Sequence, residues 1–346
     1  MTGPRVREAS FAKGVLLSIC TAGWVLAAGM AHAEAPRFED YRIPNPPGVE
    51  TGSTHELAFS PEGDVWVTQQ KQGRLVRIRR SGKITALPLG EPGDGPHGID
   101  IDRGGRLWLS LEFANRIVQA DGEGTVLASY PIPVRAGRPA AGPHGLVVAR
   151  DGSVWWAGKG GGVIGRLNPR SGRHKIYRLP NPASQPIYIT QVSDGNLWFT
   201  ELNNNAIGRI TPDGHITEYR LPGTDSRPIV VVEGPDRRVW FTMEAGHGFG
   251  TITRDGRQMR TYPANPASAK PAGLAFDRNG RPWLQYMTPD MIARVEPDMS
   301  VTPFCIRATC KGPPRAVMHR IDLGPDGLLW FTELGLDRVG KIVSGY

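Results

Sequence analysis

Cysteine is scarce in this chain, with three residues among 346. Two of them, Cys305 and Cys310, lie in the short segment CIRATC. A metal site at this segment would need more ligands than the nearby His319 supplies. In an oxidising compartment the pair instead predicts a local disulfide that closes one loop.

Long apolar segments are also few, and the one that stands out lies near the N-terminus. Residues 14–30 are almost entirely apolar, a basic segment precedes them, and residues 31–33 read AHA. This arrangement predicts a secretory signal peptide over residues 1–33 that is cleaved before Glu34. We therefore expect a periplasmic or secreted protein, with no membrane span once the signal is removed.

A basic patch is missing from the sequence as well. The formal net charge is +8, and loss of residues 1–33 removes three basic residues and one acid, which leaves +6. The lysines and arginines are scattered along the chain, whereas nucleic-acid binding usually needs a basic stripe. The sequence therefore predicts no nucleic-acid partner, only a mildly cationic protein that meets anionic partners.

A repeated tryptophan is the most regular feature that is present. Seven tryptophans recur at intervals of 42 to 47 residues, each inside a similar phrase such as LWFTE or VWFTM. These seven residues are Trp66, Trp108, Trp155, Trp198, Trp240, Trp283 and Trp330. A period of this length is typical of β-propellers and other repeat proteins.

Each repeat contains the pattern of four short strands. An apolar strand precedes the tryptophan strand across a turn rich in Asp and Gly, and phrases such as NAIGRI (205–210) and ITEYRLP (216–222) follow it. Four antiparallel strands of this kind make one propeller blade. The sequence thus predicts an all-β, seven-bladed β-propeller, in which the tryptophans pack between blades because one sheet cannot bury both of its faces alone.

The last repeat ends one strand early, and the missing strand is found near the other end of the chain. The segment FEDYRIPNP (38–46) matches the ITEYRLP phrase of the other repeats. We expect this N-terminal strand to pair with the C-terminal blade, which closes the ring and covers its free edges. Residues 34–346 are therefore predicted to form a single domain.

Two positions in every blade should meet at one end of the central channel. The start of a blade's first strand faces the end of its second strand across the hairpin, and a concave mouth of this kind is where ligands bind. The first-strand positions are His55, His97, His144, Ile187, Ile229, Ala272 and His319, and the second-strand ends include Glu112, Tyr286 and Glu333. The pattern predicts an amphipathic funnel for a mid-sized organic ligand, which His55, His144, Ile187, Ile229, Ala272 and Tyr286 would contact.

Two pairs in this set combine an imidazole with a carboxylate. His319 and Glu333 belong to blade seven, and His97 and Glu112 belong to blade two. In either pair the histidine could act as a general base while the glutamate binds a divalent metal or orients the ring. The alternative is that each histidine simply starts its strand and hydrogen-bonds a neighbouring carbonyl group.

The repeated phrases WFTE, NxIGRI, ITEYxLP and PHGI resemble those of the streptogramin B lyase (virginiamycin B lyase) family over nearly all of residues 38–346. That resemblance implies a lyase that opens a cyclic depsipeptide at its ester by elimination, with a histidine as base and acidic residues on magnesium. His319 stands at the position of the base, and Glu333 stands one residue from that of the metal-binding acid. Ala272 replaces a second histidine of the family.

We therefore predict a metal-assisted lyase-like protein, expected to be a monomer, that cleaves an ester or lactone. His319 or His97 would be the base, and Glu333 or Glu112 would hold the metal, Mg²⁺ by resemblance. A non-catalytic binding propeller of the cell envelope is one alternative, since the acidic set is incomplete. A lactone hydrolase is another, although the mouth positions do not supply the Glu, Asn and Asp cluster that its calcium would need.

Overall fold

The computed structural model describes residues 35–49, 52–134, 136–307, 310 and 318–345. The signal peptide predicted over residues 1–33 lies outside these ranges. The described residues form seven four-stranded antiparallel sheets, and their one helix is the 3₁₀ turn Leu334–Leu336. The predicted all-β propeller with seven blades is confirmed. None of the described helices has the length and apolar character needed to cross a membrane.

Each blade is a meander whose first strand lies nearest the ring axis and contacts the first strands of both neighbouring blades. Strand β1 (Arg37–Arg42) belongs to the last blade. Blade one contains β2 (Thr54–Phe59), β3 (Val65–Gln69), β4 (Arg74–Ile78) and β5 (Ile84–Pro88); blade two contains β6 (Pro96–Ile101), β7 (Leu107–Leu111), β8 (Arg116–Ala120) and β9 (Val126–Pro131). Blade three contains β10 (Pro143–Val148), β11 (Val154–Gly158), β12 (Val163–Asn168) and β13 (Arg173–Arg178); blade four contains β14 (Pro186–Gln191), β15 (Leu197–Glu201), β16 (Ala206–Ile210) and β17 (Ile216–Arg220).

The remaining three blades follow the same order. Blade five contains β18 (Pro228–Glu233), β19 (Val239–Met243), β20 (Gly248–Ile252) and β21 (Met259–Pro263); blade six contains β22 (Pro271–Phe276), β23 (Pro282–Tyr286), β24 (Met291–Val295) and β25 (Val301–Cys305). Blade seven contains β26 (Met318–Leu323), β27 (Leu329–Glu333) and β28 (Arg338–Ser344), with β1 as its outer strand.

The ring closes as the sequence predicts, because β1 pairs with β28 in the C-terminal blade. Tyr41 lies opposite Val339 in this ladder, and its ring stacks on Trp330 at 5.5 Å. Tyr219 stacks on Trp198 at 5.3 Å in the same way inside blade four. The N-terminal strand therefore reproduces the packing of an ordinary outer strand.

The repeated tryptophans lie between blades, as predicted. All seven are at most 7% exposed, and each packs against apolar residues of the next blade's second strand, as Trp66 does against Leu107 and Leu109. Several indole N–H groups also bond the aspartate of their own blade's turn, for example Trp283 to Asp277 at 3.2 Å. Burying one large aromatic side chain per interface holds neighbouring blades together.

The predicted disulfide joins Cys305, at the end of β25, to Cys310, with their Cα atoms 5.3 Å apart. It closes the loop that leaves blade six toward blade seven.

Candidate functional site

Four imidazoles meet at one end of the channel. His55, His97, His144 and His319 are each the second residue of the first strand in their blade. The ring centroids of His97 and His144 lie 3.5 Å apart, and those of His55 and His97 lie 4.6 Å apart. The ring of His319 lies 4.9 Å from that of His55 and 5.6 Å from that of His97. We call these four residues the histidine cluster.

Hydroxyl groups of the preceding blade hold the backbone of this cluster in place. The Thr68 hydroxyl donates to the carbonyl oxygen of His97 at 2.7 Å and accepts the N–H of Glu56 at 3.1 Å. Thr332 donates in the same way to the carbonyl oxygen of His55 at 2.7 Å. Because the bond from Thr68 is buried and that from Thr332 is partly buried, the second strand of one blade fixes where the next blade's histidine stands.

The glycine of the PHG phrase is explained by close contact between first strands. A Cβ atom on Gly98 would lie 2.4 Å from the carbonyl oxygen of His144, and one on Gly145 would lie 2.6 Å from that of Ile187. Only glycine allows such an approach of two backbones. The glycine of blade two thus lets His97 and His144 come together, and the glycine of blade three lets the backbone of Ile187 in blade four lie close to that of His144.

Blade three departs from the hydroxyl pattern, since Ala157 stands where Ser110 stands in blade two. Here the Nδ1 atom of His144 lies 2.9 Å from the carbonyl oxygen of Ile187 and serves as its partner. At His144 the ring therefore does bond a neighbouring carbonyl group, which is the alternative role considered for the mouth histidines. Its Nε2 atom remains on the other side of the ring.

A charged layer lies directly below the cluster. The residues that follow the mouth position in blades one, four and seven are Glu56, Tyr188 and Arg320. Arg320 hydrogen-bonds the Tyr188 hydroxyl, lies 5.0 Å over its ring, and places Nε 3.6 Å from Glu56. Asp322 also bonds Arg320, at 2.6 Å. These side chains span the channel from blade seven to blade four, and we call them the channel plug.

The plug gives His319 a carboxylate partner that sequence reasoning missed. The Nδ1 atom of His319 lies 3.2 Å from an oxygen of Glu56. Burial opposes ionisation of Glu56, but the bond to His319 and the charge of Arg320 outweigh it and lower the pKa of Glu56. An ionised Glu56 beside Nδ1 favours the ring form of His319 that carries its N–H at Nδ1, which leaves Nε2 as the basic atom.

The expected pairing of His319 with Glu333 is not formed. Glu333 lies opposite Met318 in the ladder and bonds Arg307. Burial raises the pKa of Glu333, against the influence of Arg307. The difference arises because the first strand turns into the channel at its start, so that its mouth residue faces the neighbouring blade and not its own second strand.

Glu112 lies beside the histidine cluster. Three donor atoms lie within 4.8 Å of one another here: one carboxylate oxygen of Glu112, one ring nitrogen of His97 and one ring nitrogen of His144. One oxygen of Glu112 accepts the amide of Gln70 at 2.9 Å, and the other lies 3.2 Å from the ammonium of Lys159. Gln70 is a further residue that the repeat pattern did not single out.

Three of the four imidazoles are held neutral. Burial lowers the pKa of His55, His97 and His144 well below the usual value, and the nearby charges of Lys159 and the other histidines act in the same direction. Neutral imidazole is the form that accepts a proton or binds a metal.

The apolar side of the predicted funnel belongs to the hydrophobic core. Ile187, Ile229, Ala272 and Tyr286 belong to one buried cluster, and Ala272 and Tyr286 have no exposed surface. The Tyr286 hydroxyl donates to the carbonyl oxygen of Asn265 at 3.0 Å. In this conformation Ala272 and Tyr286 offer a ligand no surface, because the side chains of blades five and six fill this side of the mouth. The expectation that these two residues contact the ligand is therefore corrected.

The donor set does not suit magnesium. In the part of the chain that the structure describes, the groups of three close donors are His55, His97 and His319, and His97, Glu112 and His144. Mg²⁺ requires oxygen ligands in octahedral geometry, whereas these groups are mostly nitrogen. Glu333, which the resemblance assigns to the metal, is bonded to Arg307.

A second concave region lies between blades two and three on the opposite rim, with a volume of about 1130 Å³. Its lining includes two acids, Asp102 and Asp151, and seven basic residues: Arg103, Arg106, Arg150, Arg166, Arg170, Arg173 and Lys175. These cations are spread over some seventy residues of sequence, which is why the sequence shows no basic patch. Arg106 and Arg166 are paired with the two aspartates.

The model of the virginiamycin B lyase family matches residues 136–345, which is more than half of the chain. The chain belongs to the virginiamycin B lyase family. The matched segment contains His144, His319 and Glu333, whereas His55 and His97 lie before it.

Solved structures agree with this family assignment. A streptogramin B lyase superimposes with a TM-score of 0.80 at 28% identity, covering 89% of this chain and 98% of that one. Virginiamycin B lyase from Staphylococcus aureus gives a TM-score of 0.80 at 29% identity over 89% of this chain and 99% of that one. A catalytically inactive histidine-to-alanine variant of the same enzyme with quinupristin gives 0.78, with the same identity and coverage. A search of curated protein sequences gave no match.

Proposed function

We propose that this virginiamycin B lyase-like propeller cleaves an ester or lactone by elimination at the histidine cluster, with His319 as the base. The observation that carries the proposal is the contact of His319 Nδ1 with Glu56 at 3.2 Å in a member of this family. A buried, ionised carboxylate on Nδ1 fixes the ring tautomer and stabilises the imidazolium that forms when Nε2 takes a proton.

The step needs no nucleophile. Nε2 of His319 takes a proton from the carbon α to a carbonyl group, and the C–H electron pair becomes the double bond to the β-carbon. The β-carbon–oxygen bond breaks at the same time, and its electrons leave on the departing carboxylate. The product therefore carries a new C=C bond and a free acid, and water is not consumed.

The channel plug supports this role. Arg320 lies beside Glu56 in the channel, and its charge helps to keep Glu56 ionised. Because Arg320 also bonds Tyr188 on the opposite blade, the plug closes the channel below the cluster. A substrate would enter from the mouth and meet His55 and His319, the two more exposed imidazoles.

The cellular setting belongs to the same proposal. We infer export to the periplasm or medium from the N-terminal segment, and the Cys305–Cys310 disulfide fits an oxidising compartment. The closed ring of seven blades has no long free strand edge among the described residues, which supports a monomer.

The test is a panel of cyclic depsipeptides, lactones and esters of β-hydroxy acids, assayed in H₂¹⁸O. Elimination gives an unsaturated product without solvent oxygen, whereas a lactone hydrolase incorporates ¹⁸O. His319→Ala should remove turnover, and Glu56→Gln should lower kcat at least tenfold with little change in KM. Turnover that survives His319→Ala at the wild-type rate would eliminate His319 as the base.

A second candidate is a non-catalytic binding propeller. It is favoured because both carboxylates predicted to bind metal lie beside a basic side chain. Arg307 bonds Glu333 and Lys159 lies beside Glu112. In that case the panel would include compounds that raise the melting temperature yet return chemically unchanged, because binding to the folded state alone stabilises it.

A further inference from the structure

We propose that His97, His144 and Glu112 form a site for a divalent ion of the zinc class, with Zn²⁺ as its reference metal. The inference rests on the same mouth as the proposed function and adds the class of metal. It differs from the magnesium that the family resemblance implies. Two imidazole nitrogens and one carboxylate oxygen are the ligand types that select Zn²⁺, Co²⁺ or Ni²⁺ over Mg²⁺.

The geometry needs only a small adjustment to bind an ion. The three donor atoms lie within 4.8 Å of one another. An ion equidistant from donors at that spacing would sit roughly 2.8 Å from each, whereas Zn–N and Zn–O bonds are about 2.0–2.2 Å. Each donor must therefore move inward by less than ~1 Å, which side-chain rotation supplies.

The residues around the three ligands already orient two of them. His144 uses Nδ1 on the carbonyl oxygen of Ile187, which leaves Nε2 as its ligand atom. The amide of Gln70 binds one oxygen of Glu112 and leaves the other for the ion. Hydrogen bonds of this kind from outside the ligand set fix ring tautomer and carboxylate orientation at metal sites.

His97 supplies the independent sign of a missing partner. It is 2% exposed, and its Nδ1 atom has no hydrogen-bond partner among the described residues. Buried polar atoms are nearly always paired, so an unpaired buried nitrogen on a residue of this donor group calls for an explanation. A bound cation provides one.

Lys159 is the side chain that opposes the ion. Its ammonium lies 3.2 Å from the Glu112 oxygen that would bind metal, and its side chain is 34% exposed. The ammonium can therefore swing into solvent when an ion replaces it. Lys159 and the ion compete for one carboxylate oxygen, which makes the effect of removing Lys159 predictable.

The alternative group is His55, His97 and His319, which shares His97. It contains no carboxylate to offset the charge of the ion, and it would occupy the histidine proposed as the base. The group with Glu112 leaves His319 free on Glu56. A Zn²⁺-class ion at His97, His144 and Glu112 would supply Lewis-acid polarisation of a carbonyl oxygen beside that base.

The experiment is calorimetric titration of the metal-stripped full-length mature protein with ZnCl₂ and MgCl₂, together with the visible absorption of added Co²⁺. Wild type should bind one Zn²⁺ at least a hundredfold more tightly than Mg²⁺. Glu112→Gln and His97→Asn should weaken Zn²⁺ at least tenfold, whereas Lys159→Gln should tighten it several-fold. His215→Ala, at a distant turn, controls for adventitious binding and should match wild type.

His319→Ala separates this site from both the alternative and the catalytic proposal. It should keep wild-type Zn²⁺ affinity while losing turnover. Loss of Zn²⁺ binding in His319→Ala with full binding in Glu112→Gln would overturn the assignment in favour of the three-histidine group. Weak or non-stoichiometric Zn²⁺ binding by wild type, unchanged in Lys159→Gln, would overturn the site altogether. Circular dichroism of each variant confirms its fold.

Discussion

The Nδ1 atom of His144 lies 2.9 Å from the carbonyl oxygen of Ile187, in the place that a hydroxyl group occupies elsewhere in the ring. Thr200 and Thr242, for example, donate to the carbonyl oxygens of Ile229 and Ala272 at 3.0 and 2.8 Å. A mouth histidine has thus replaced a structural hydroxyl of its own blade. This makes His144 part of the ring's hydrogen bonding as well as of the histidine cluster.

His144→Ala should lower the free energy of unfolding by about 1–3 kcal/mol in metal-free buffer, because the buried carbonyl of Ile187 loses its partner. Ala157→Ser restores a hydroxyl at the position that Ser110 holds in blade two. It should therefore recover part of the loss in the double variant, measured by urea unfolding. If Ala157→Ser gave the same increment with and without His144, the two groups would not share this carbonyl.

Thr68→Val should lower the free energy of unfolding by about 1–3 kcal/mol, because the carbonyl of His97 and the N–H of Glu56 both lose a buried partner. Thr242→Val is the matched control, since Thr242 bridges Val230 and Ala272 on the apolar side. Both variants should lose similar stability. Only Thr68→Val should also weaken Zn²⁺ binding and turnover, and equal effects of the two would show that position 68 does not orient the cluster.

Arg320→Met should lower the free energy of unfolding by about 3 kcal/mol, because it leaves Glu56 without its buried cation and the Tyr188 hydroxyl without its partner. Arg257→Met is the control: this side chain is 85% exposed and lies 3.8 Å from Asp255, so little change is expected. Thermal and urea unfolding measure both. Comparable small effects would mean that the channel plug does not stabilise the ring.

The free energy of unfolding should depend on pH through the buried side chain of Glu201. Burial, with repulsion from Glu218, raises the pKa of Glu201 to about 7 from the ordinary value of 4.5. Between these values the folded protein holds a proton that the unfolded chain has lost, so this residue's contribution to stability declines as pH rises through the window. Across this pH window the stability that Glu201 contributes falls by a total on the order of 3 kcal/mol.

Glu201→Gln removes this titration. Relative to the glutamine variant, wild type should lose stability steadily from pH 5 to pH 8, as measured by urea unfolding at each pH. Gln cannot ionise yet can still bond Asn204, the present partner of Glu201. A stability difference that stays constant over that pH range would place the pKa of Glu201 near its ordinary value.

The sequence predicted the fold well because propeller repeats are a local property of the chain. The spacing of the tryptophans gave seven blades, and the match of residues 38–46 to other outer strands gave the closure of β1 on β28. Within the site, the meeting of His55, His97, His144 and His319 followed from their shared position in each repeat. Each of these inferences needed only the period and one consistent strand direction.

The partners of those histidines could not be predicted in the same way. The sequence pattern assumed that a mouth residue faces its own blade, which suggested His319 with Glu333. The start of each first strand bends away from its own ladder, as the register shifts show, and contacts the neighbouring blade. Glu56 therefore reaches His319 from a position 263 residues away in the chain.

The amino-acid sequence by itself determined how many blades form, which strand closes them and which side chains stand at the channel mouth, because all three follow from hydrophobic periodicity and repeat position. Only the tertiary structure decided that Glu56 orients His319, that Arg307 binds Glu333 and that Tyr286 is core. Those contacts depend on ångström-scale distances between neighbouring or opposite blades, which no spacing along one blade encodes.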